Sequence, residues 1–179
     1  MQLNVRPAVL ADIPAIAGIY AHWVTSGTAS FELTPPDAVE MRRRFETAIA
    51  GGYPYLVAQS ATADVAGYAY ASAYRHRPAY RWTVEDSIYI AHDAQRSGAG
   101  RRLLGALIDE CTKRGYRQLI AVIGDSAQTP SIALHRSLGF EQTAILRAIG
   151  YKFGKWLDVV LMQRALGASD TTPPAIPVP

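Results

Sequence analysis

Chemistry concentrates in one stretch, residues 85 to 101, which reads Glu-Asp-Ser-Ile-Tyr-Ile-Ala-His-Asp-Ala-Gln-Arg-Ser-Gly-Ala-Gly-Arg. Its second half can form an anion site. Gly98 and Gly100 carry no Cβ, so amides from Arg96 to Arg101 can converge on one anionic group at the N-terminus of the helix that follows, where the helix dipole adds positive potential. Arg96, Arg101 and Arg102 bring cations to the same place. The spacing excludes two familiar phosphate sites: a P-loop needs Gly-Lys followed by Ser or Thr, and a dinucleotide fingerprint needs a third glycine where Leu103 stands, after a β-α-β unit. In the first half, strand alternation gives Glu85, Ser87 and Tyr89 one face. A carboxylate there can take a proton from a bound nucleophile, directly or through a water. Arg75 and Arg77 lie in the loop just before that strand, where guanidinium forks can bind a carboxylate or phosphinate. His135 shares a helical face with Ser131 and stays open to three readings: a second base, an orienting group, or a structural histidine.

These groups need a scaffold. With 179 residues, 49 % hydrophobic and 18 % charged, the chain can bury one sizeable core and no comfortable second one, so a single domain is expected over residues 1–166. The Pro-rich end, 167–179, reads as a disordered tail. A net charge of +3 and a pI near 9.1 suit anionic small molecules better than nucleic acid, whose binders carry a basic stripe. Arg42-Arg43-Arg44 reads as a solvated helix face. The single cysteine, Cys111, forms no internal disulfide and faces a core stripe, so it is no candidate nucleophile. There is neither a leader of signal-peptide type nor an apolar run long enough for a membrane span, so no membrane partner and a cytoplasmic setting are expected.

The spacing predicts a short strand around Val5, then a helix capped by Asp12 with Ile13, Ile16, Ala17, Tyr20 and Val24 on one face. A loop over Thr25 to Pro36 carries Phe31. Asp37 caps a second helix, with Ala38, Met41, Phe45 and Ile49 together, and Gly51-Gly52 ends it. Strands follow at Tyr55 to Ala58, Val65 to Tyr74 and Trp82 to Ile90. After the glycine loop comes a helix with Leu103, Leu104, Leu107, Ile108 and Cys111 on its apolar stripe. Leu119 to Ile123 reads as a fully buried strand parallel to the preceding one. A short helix over Pro130 to Leu138 and strands at Phe140 to Ile149 and Tyr151 to Arg164 close the chain. Trp82 and Trp156 read as packing residues.

Gln95-Arg96-Ser97-Gly98-Ala99-Gly100 resembles the Gln/Arg-x-x-Gly-x-Gly/Ala loop of the GNAT superfamily of acyl-CoA N-acyltransferases, and the order of elements is similar to that superfamily's. Trp82 to Glu85, Ile88 to Ile90, Val122 to Gly124, Ala133 to Phe140 and Gly154 to Val159 resemble segments of its phosphinothricin/methionine-sulfoximine N-acetyltransferase subfamily. The resemblance covers about Val5 to Leu166. It implies an α+β fold in three α/β/α layers: a mixed, mostly antiparallel sheet flanked by helices, whose central parallel strands splay to admit CoA. It also implies acetyl-CoA as co-substrate, no metal, a small amino-acid acceptor and a homodimer.

Carried onto this sequence, the resemblance makes Glu85 the catalytic base, His135 an active-site histidine and Tyr89 a neighbour of the acetyl group, although core packing explains Tyr89 equally well. Ile88, Tyr89 and Ile90 would pair with the pantetheine arm through their backbone. Gln95, Arg96, Ser97, Gly98, Ala99, Gly100 and Arg101 would hold the pyrophosphate. Ser131 and Gln128 would complete the CoA site, Gln128 standing where close relatives have asparagine. Phe31, Arg75, Arg77, Tyr80, Val122 and Gly124 would surround the acceptor with Glu85. The implied reaction is acetyl transfer to the α-amine of an L-amino acid or analogue. A peptide α-amine, or a non-catalytic acyl-CoA-binding module, is the alternative; a module would need neither base nor acceptor clamp.

Overall fold

Eleven regular elements and three single-turn 3-10 helices are present in the computed structural model, which describes residues 3–62 and 64–174. In chain order they are β1 (Leu3–Pro7), α1 (Ile13–Ser26), α2 (Ala38–Ala50), β2 (Tyr55–Ser60), β3 (Val65–Ala73), β4 (Thr83–Ile90), α3 (Ala99–Lys113), β5 (Gln118–Gly124), α4 (Thr129–Ser137), β6 (Glu141–Lys152) and β7 (Lys155–Ala165). The strands form one sheet in the order β1-β2-β3-β4-β5-β7-β6. Only β4 and β5 run parallel, and their pairing stops at Asp86↔Ala121, although β4 continues to Ile90 and β5 to Gly124. Beyond that point the strands part, which is the expected splay.

Alternation along the strands feeds two cores. Leu56, Ala58, Ala69, Ala71, Val84, Leu119 and Ala121 pack against the Leu103, Leu104, Leu107 and Cys111 stripe of α3. Tyr55, Val57 and Tyr68 point the other way and pack under Ile16, Tyr20 and Val24 of α1 and Met41 and Phe45 of α2. Ile49, on the last turn of α2, stays exposed.

Four local expectations are corrected. Asp37 caps α2 through Glu40 N at 2.8 Å, but Asp12 caps nothing in α1. Its carboxylate instead takes two Arg6 bonds, at 2.7 and 2.8 Å, and Val9 N at 2.8 Å, because the guanidinium fork is the stronger donor. The final hairpin turns at Phe153-Gly154, where φ is 52° and 75°, the geometry a two-residue turn demands; Gly150 lies inside β6. Trp156 is 66 % exposed, on the hairpin of β6 and β7 that ends the sheet, and it meets Tyr151 edge-on at 5.2 Å. After β7 the chain is held to the start of β5: Arg117 Nη1 donates to Ser169 O at 3.2 Å and Gln118 Nε2 to Ser169 Oγ at 2.8 Å. The expected disordered tail thus begins with a tethered turn; residues 175–179 lie outside the described residues.

Candidate active site

A cleft of about 640 Å³ lies beside the end of β4, past its pairing with β5, between the glycine loop and the start of α4. Ile88, Tyr89 and Ile90 line it from β4; Gln95, Arg96, Gly98, Ala99, Gly100 and Arg101 from the glycine loop; Gln128 and Ser131 from the start of α4. These are the residues expected to hold CoA, with one exception. Ser97 Oγ donates to Ala94 O at 2.6 Å and accepts from Ala99 N at 3.3 Å, so it shapes the loop from behind. Gly98 has φ +87°, a left-handed conformation that costs glycine little, and it directs the first-turn amides of α3 toward the cleft. Arg102 leaves the group: its Nη1 donates to Leu3 O at 3.1 Å.

Five residues that line the cleft were not legible as site members, Trp23, Ala29, Ala94, Pro130 and Leu134, of which Trp23 and Leu134 carry the large side chains. Trp23 of α1 lines the cleft, and its Nε1 donates to Ile90 O at 2.8 Å, so that carbonyl is already taken. Leu134 of α4 forms part of the wall beside Gly100. Neither stands apart in sequence from an ordinary helical apolar position. Gln128 is more committed than expected: its Nε2 donates to Thr28 Oγ1 at 3.0 Å, which ties the cleft to the α1–α2 loop.

β4 sends its two carboxylates to opposite sides of the sheet. Glu85, opposite Ser72 of β3 and Ile120 of β5, faces the α1–α2 side. Burial holds its carboxyl above the ordinary range, the Asp86 charge adds to this, and Arg75 opposes both. Asp86 points toward α4, where its Oδ2 lies 3.0 Å from His135 Nε2, with both side chains almost fully buried. His135 Nδ1 meets Ser131 O at 2.8 Å, and the ring packs edge-on against Phe140 at 5.0 Å. Burial pushes the imidazole down, but the Asp86 charge and hydrogen bond, helped by Ser131 O, carry it above the usual histidine value. His135 therefore stands on the other side of the sheet from Glu85, with both ring nitrogens engaged. A small cavity of about 60 Å³ beside the pair is shared with Tyr89, Gly124 and Gln128, and Asp86 Oδ1 has no hydrogen-bond partner among the described residues.

Tyr89 is packed as core and also borders the cavities. Its ring packs edge-on to Tyr20 at 5.0 Å and stacks on Tyr68 at 5.4 Å, while it also lines both cavities. Burial keeps its hydroxyl protonated far beyond neutral pH. On the Glu85 side, Val122 is open to solvent and Phe31 covers Gly124. The Arg75 guanidinium lies 4.7 Å over the Tyr74 ring, and Tyr80 meets the same ring edge-on at 5.9 Å. Arg77 opens the exposed 3-10 turn Pro78–Tyr80; among the described residues neither arginine forms an ion pair.

The cleft is lined by the glycine loop and the end of β4, while Glu85, lower on the same strand and on the α1–α2 side of the sheet, borders neither cavity. Known proteins resemble the chain as a whole. A family model described as an acetyltransferase (GNAT) domain matches residues 8–161. The chain is 55 % identical over 163 residues to a phosphinothricin N-acetyltransferase of Alcaligenes faecalis, covering 91 % of this chain and 82 % of that one. It is 39 % identical over 173 residues to an L-methionine sulfoximine/L-methionine sulfone acetyltransferase of Pseudomonas aeruginosa, covering 97 % of this chain and all of that one. Among solved structures, a GNAT superfamily phosphinothricin acetyltransferase from Sinorhizobium meliloti in complex with AcCoA superposes with a TM-score of 0.96 at 49 % identity, covering 99 % of this chain and 96 % of that one.

Proposed function

The chain belongs to the GNAT acetyltransferase family, and we propose that within it the protein acetylates the α-amine of a small L-amino acid or analogue of the phosphinothricin and methionine sulfoximine or sulfone type. The observation that carries the reading is Glu85: a half-buried carboxylate, held above its ordinary pKa, on the open side of the strand whose end lines the cleft. Acetyl-CoA would lie with its pyrophosphate on the amides of Gly98 to Arg101 and its pantetheine arm along Ile88 to Ile90, leaving the thioester where β4 and β5 part. The acceptor would enter from the Arg75 side, its acid group on the guanidinium forks and its side chain toward Phe31, Val122 and Gly124.

Two protons must leave the acceptor nitrogen. The acceptor arrives as an ammonium; Glu85 takes the first, directly or through a water, the free amine attacks the thioester carbon in a ternary complex, and as the C–S bond breaks the CoA thiolate leaves and takes up the second. Tyr89, whose neutral hydroxyl belongs to a ring lining both cavities, would border the thioester. His135, paired with Asp86, orients this wall and takes no proton from the amine.

The same reading makes the enzyme a homodimer. Ile149, Tyr151, Phe153 and Trp156 are exposed on the final hairpin, Tyr151 and Trp156 in edge-on contact, and a second copy would cover them. Light scattering should give twice the 19.4 kDa chain mass, falling to the monomer in Trp156→Glu; a monomeric wild type would remove the dimer.

The function is tested by thiol release over a panel of amino acids, their carboxamides and short peptides. Methionine sulfoximine and phosphinothricin should lead the panel, and amides should lose. If Arg75 and Arg77 read the acid group, Arg75→Ala and Arg77→Ala each weaken kcat/KM about 10- to 150-fold, the scale of a hydrogen bond to a charged group, with the lower end applying to such exposed side chains. The amide should then lose little further on the mutants. Additive losses, or peptides as the best acceptors, would overturn the amino-acid reading.

A further inference from the structure

Lys152, the last residue of β6, is 3 % exposed. Among the described residues its ammonium is held not by a carboxylate but by two backbone carbonyls, Gly27 O at 2.9 Å and Ser30 O at 2.7 Å, with the Phe153 ring 5.0 Å away. Burial lowers its pKa, and the Glu32 charge offsets only part of this. An ammonium in such a place is costly unless its protons are well used. What they hold is the turn from Gly27 to Ser30, immediately before Phe31.

The Phe31 ring lies on two glycines of the sheet. A Cβ at Gly124 of β5 would come 2.8 Å from its Cε1, and one at Gly150 of β6 would overlap its Cε2. Gly150 and Lys152 are two residues apart on one strand and so face the same side. β6 thus supplies both the clearance for the ring and the cation that fixes its loop. A second anchor comes from the cleft: Thr28 Oγ1 donates to Asp125 Oδ2 at 2.8 Å and accepts from Gln128 Nε2 at 3.0 Å.

We propose that Lys152 is a positioning residue, and Gly150 a specificity-determining one, for the acceptor: together they set where the Phe31 ring closes the acceptor pocket and so which side chains fit. This rests on the reading that Phe31 borders the acceptor. Without the ammonium the carbonyls of Gly27 and Ser30 lose their common donor, and the ring loses its fixed place, while the glycine loop across the sheet is untouched. A Cβ at Gly150 lifts the ring off the sheet into the space above it.

The test compares Phe31→Ala, Lys152→Met, Gly150→Ala and the Phe31/Lys152 double variant, using thiol release over amino acids of graded side-chain size and calorimetry with acetyl-CoA. Lys152→Met should raise acceptor KM about tenfold, with kcat within about threefold and acetyl-CoA affinity within about twofold of wild type. In the Phe31→Ala background it should do little more, since the ring it positions is gone. Gly150→Ala should cost the largest acceptors about tenfold more than the smallest. An unchanged acceptor KM in Lys152→Met, additive losses with Phe31→Ala, or equal losses of acetyl-CoA and acceptor binding would overturn the proposal. If Lys152→Met does not fold, an unchanged panel order in Gly150→Ala overturns it. Unaltered kinetics in Phe31→Ala would instead remove Phe31 from the acceptor pocket, and with it the reading on which the proposal rests.

Discussion

Glu85→Gln should move activity and stability in opposite directions. The substitution keeps the size of the side chain and removes its charge and basicity. Glu85 sits between Ser72 and Ile120 on the sheet, where burial, followed by the Asp86 charge, holds its carboxyl above the usual range against the pull of Arg75. A carboxyl with a folded pKa above its unfolded one carries no penalty below the unfolded pKa; the penalty sets in as pH rises through the folded value, because the ionised form is the one burial disfavours. Gln escapes it. Urea midpoints of mutant and wild type should therefore coincide in acid, and the mutant should be the more stable at neutral pH. Turnover should go the other way, falling about 10²- to 10⁴-fold, or about 3 to 5.5 kcal/mol of transition-state stabilisation. The pH profile adds a second check. Wild-type kcat/KM should climb through the raised Glu85 pKa, Glu85→Gln should lose that limb, and Arg75→Ala should shift it to higher pH by removing the one influence that lowers it. His135, on the far side of the sheet, has no such dependence on Arg75. Turnover within about threefold of wild type, or stability lost together with activity, would refute the assignment of Glu85 as base.

The two loop glycines should fail differently. A Cβ at Gly100 would meet Leu134 Cδ2 at 3.1 Å and its branches would enter the cleft, so Gly100→Val should weaken acetyl-CoA about hundredfold or more by calorimetry in a folded protein. Gly98 has open space around it but φ +87°, so Gly98→Ala should cost about 1 to 2 kcal/mol of stability through the backbone alone, read from urea unfolding. Asp86→Asn breaks a buried pair, with an expected cost of about 3 to 5 kcal/mol. Since the folded His135 pKa is raised, that cost should be full below the unfolded value of 6.5 and shrink as pH rises through the folded one; a cost independent of pH would show that the pair carries no shared proton.

Local signals made much of this protein legible in its sequence. Gly98 and Gly100, Asp37, the apolar stripe of α3 and the buried run of β5 each act within a few residues, through backbone freedom, capping or periodicity, so their consequences can be read before folding. The resemblance carried by the glycine loop and by the segments around Glu85 and His135 extended that reading to the family. Even Glu85 and Asp86 are separable from the chain alone, since adjacent strand residues face opposite ways. What tertiary structure decided is which distant groups share those faces. His135 meets Asp86 because α4 packs on the α3 side of the sheet. Trp23 reaches Ile90 O only once α1 crosses β4. Gly150 separates two expected strands until Phe31 is seen lying on it, and nothing local marks Lys152, whose partner is the carbonyl of Ser30 in a loop 122 residues earlier. Such contacts depend on long-range packing that fills space and satisfies buried donors. No local propensity encodes that, because the partner is chosen by the fold and not by the neighbouring residues.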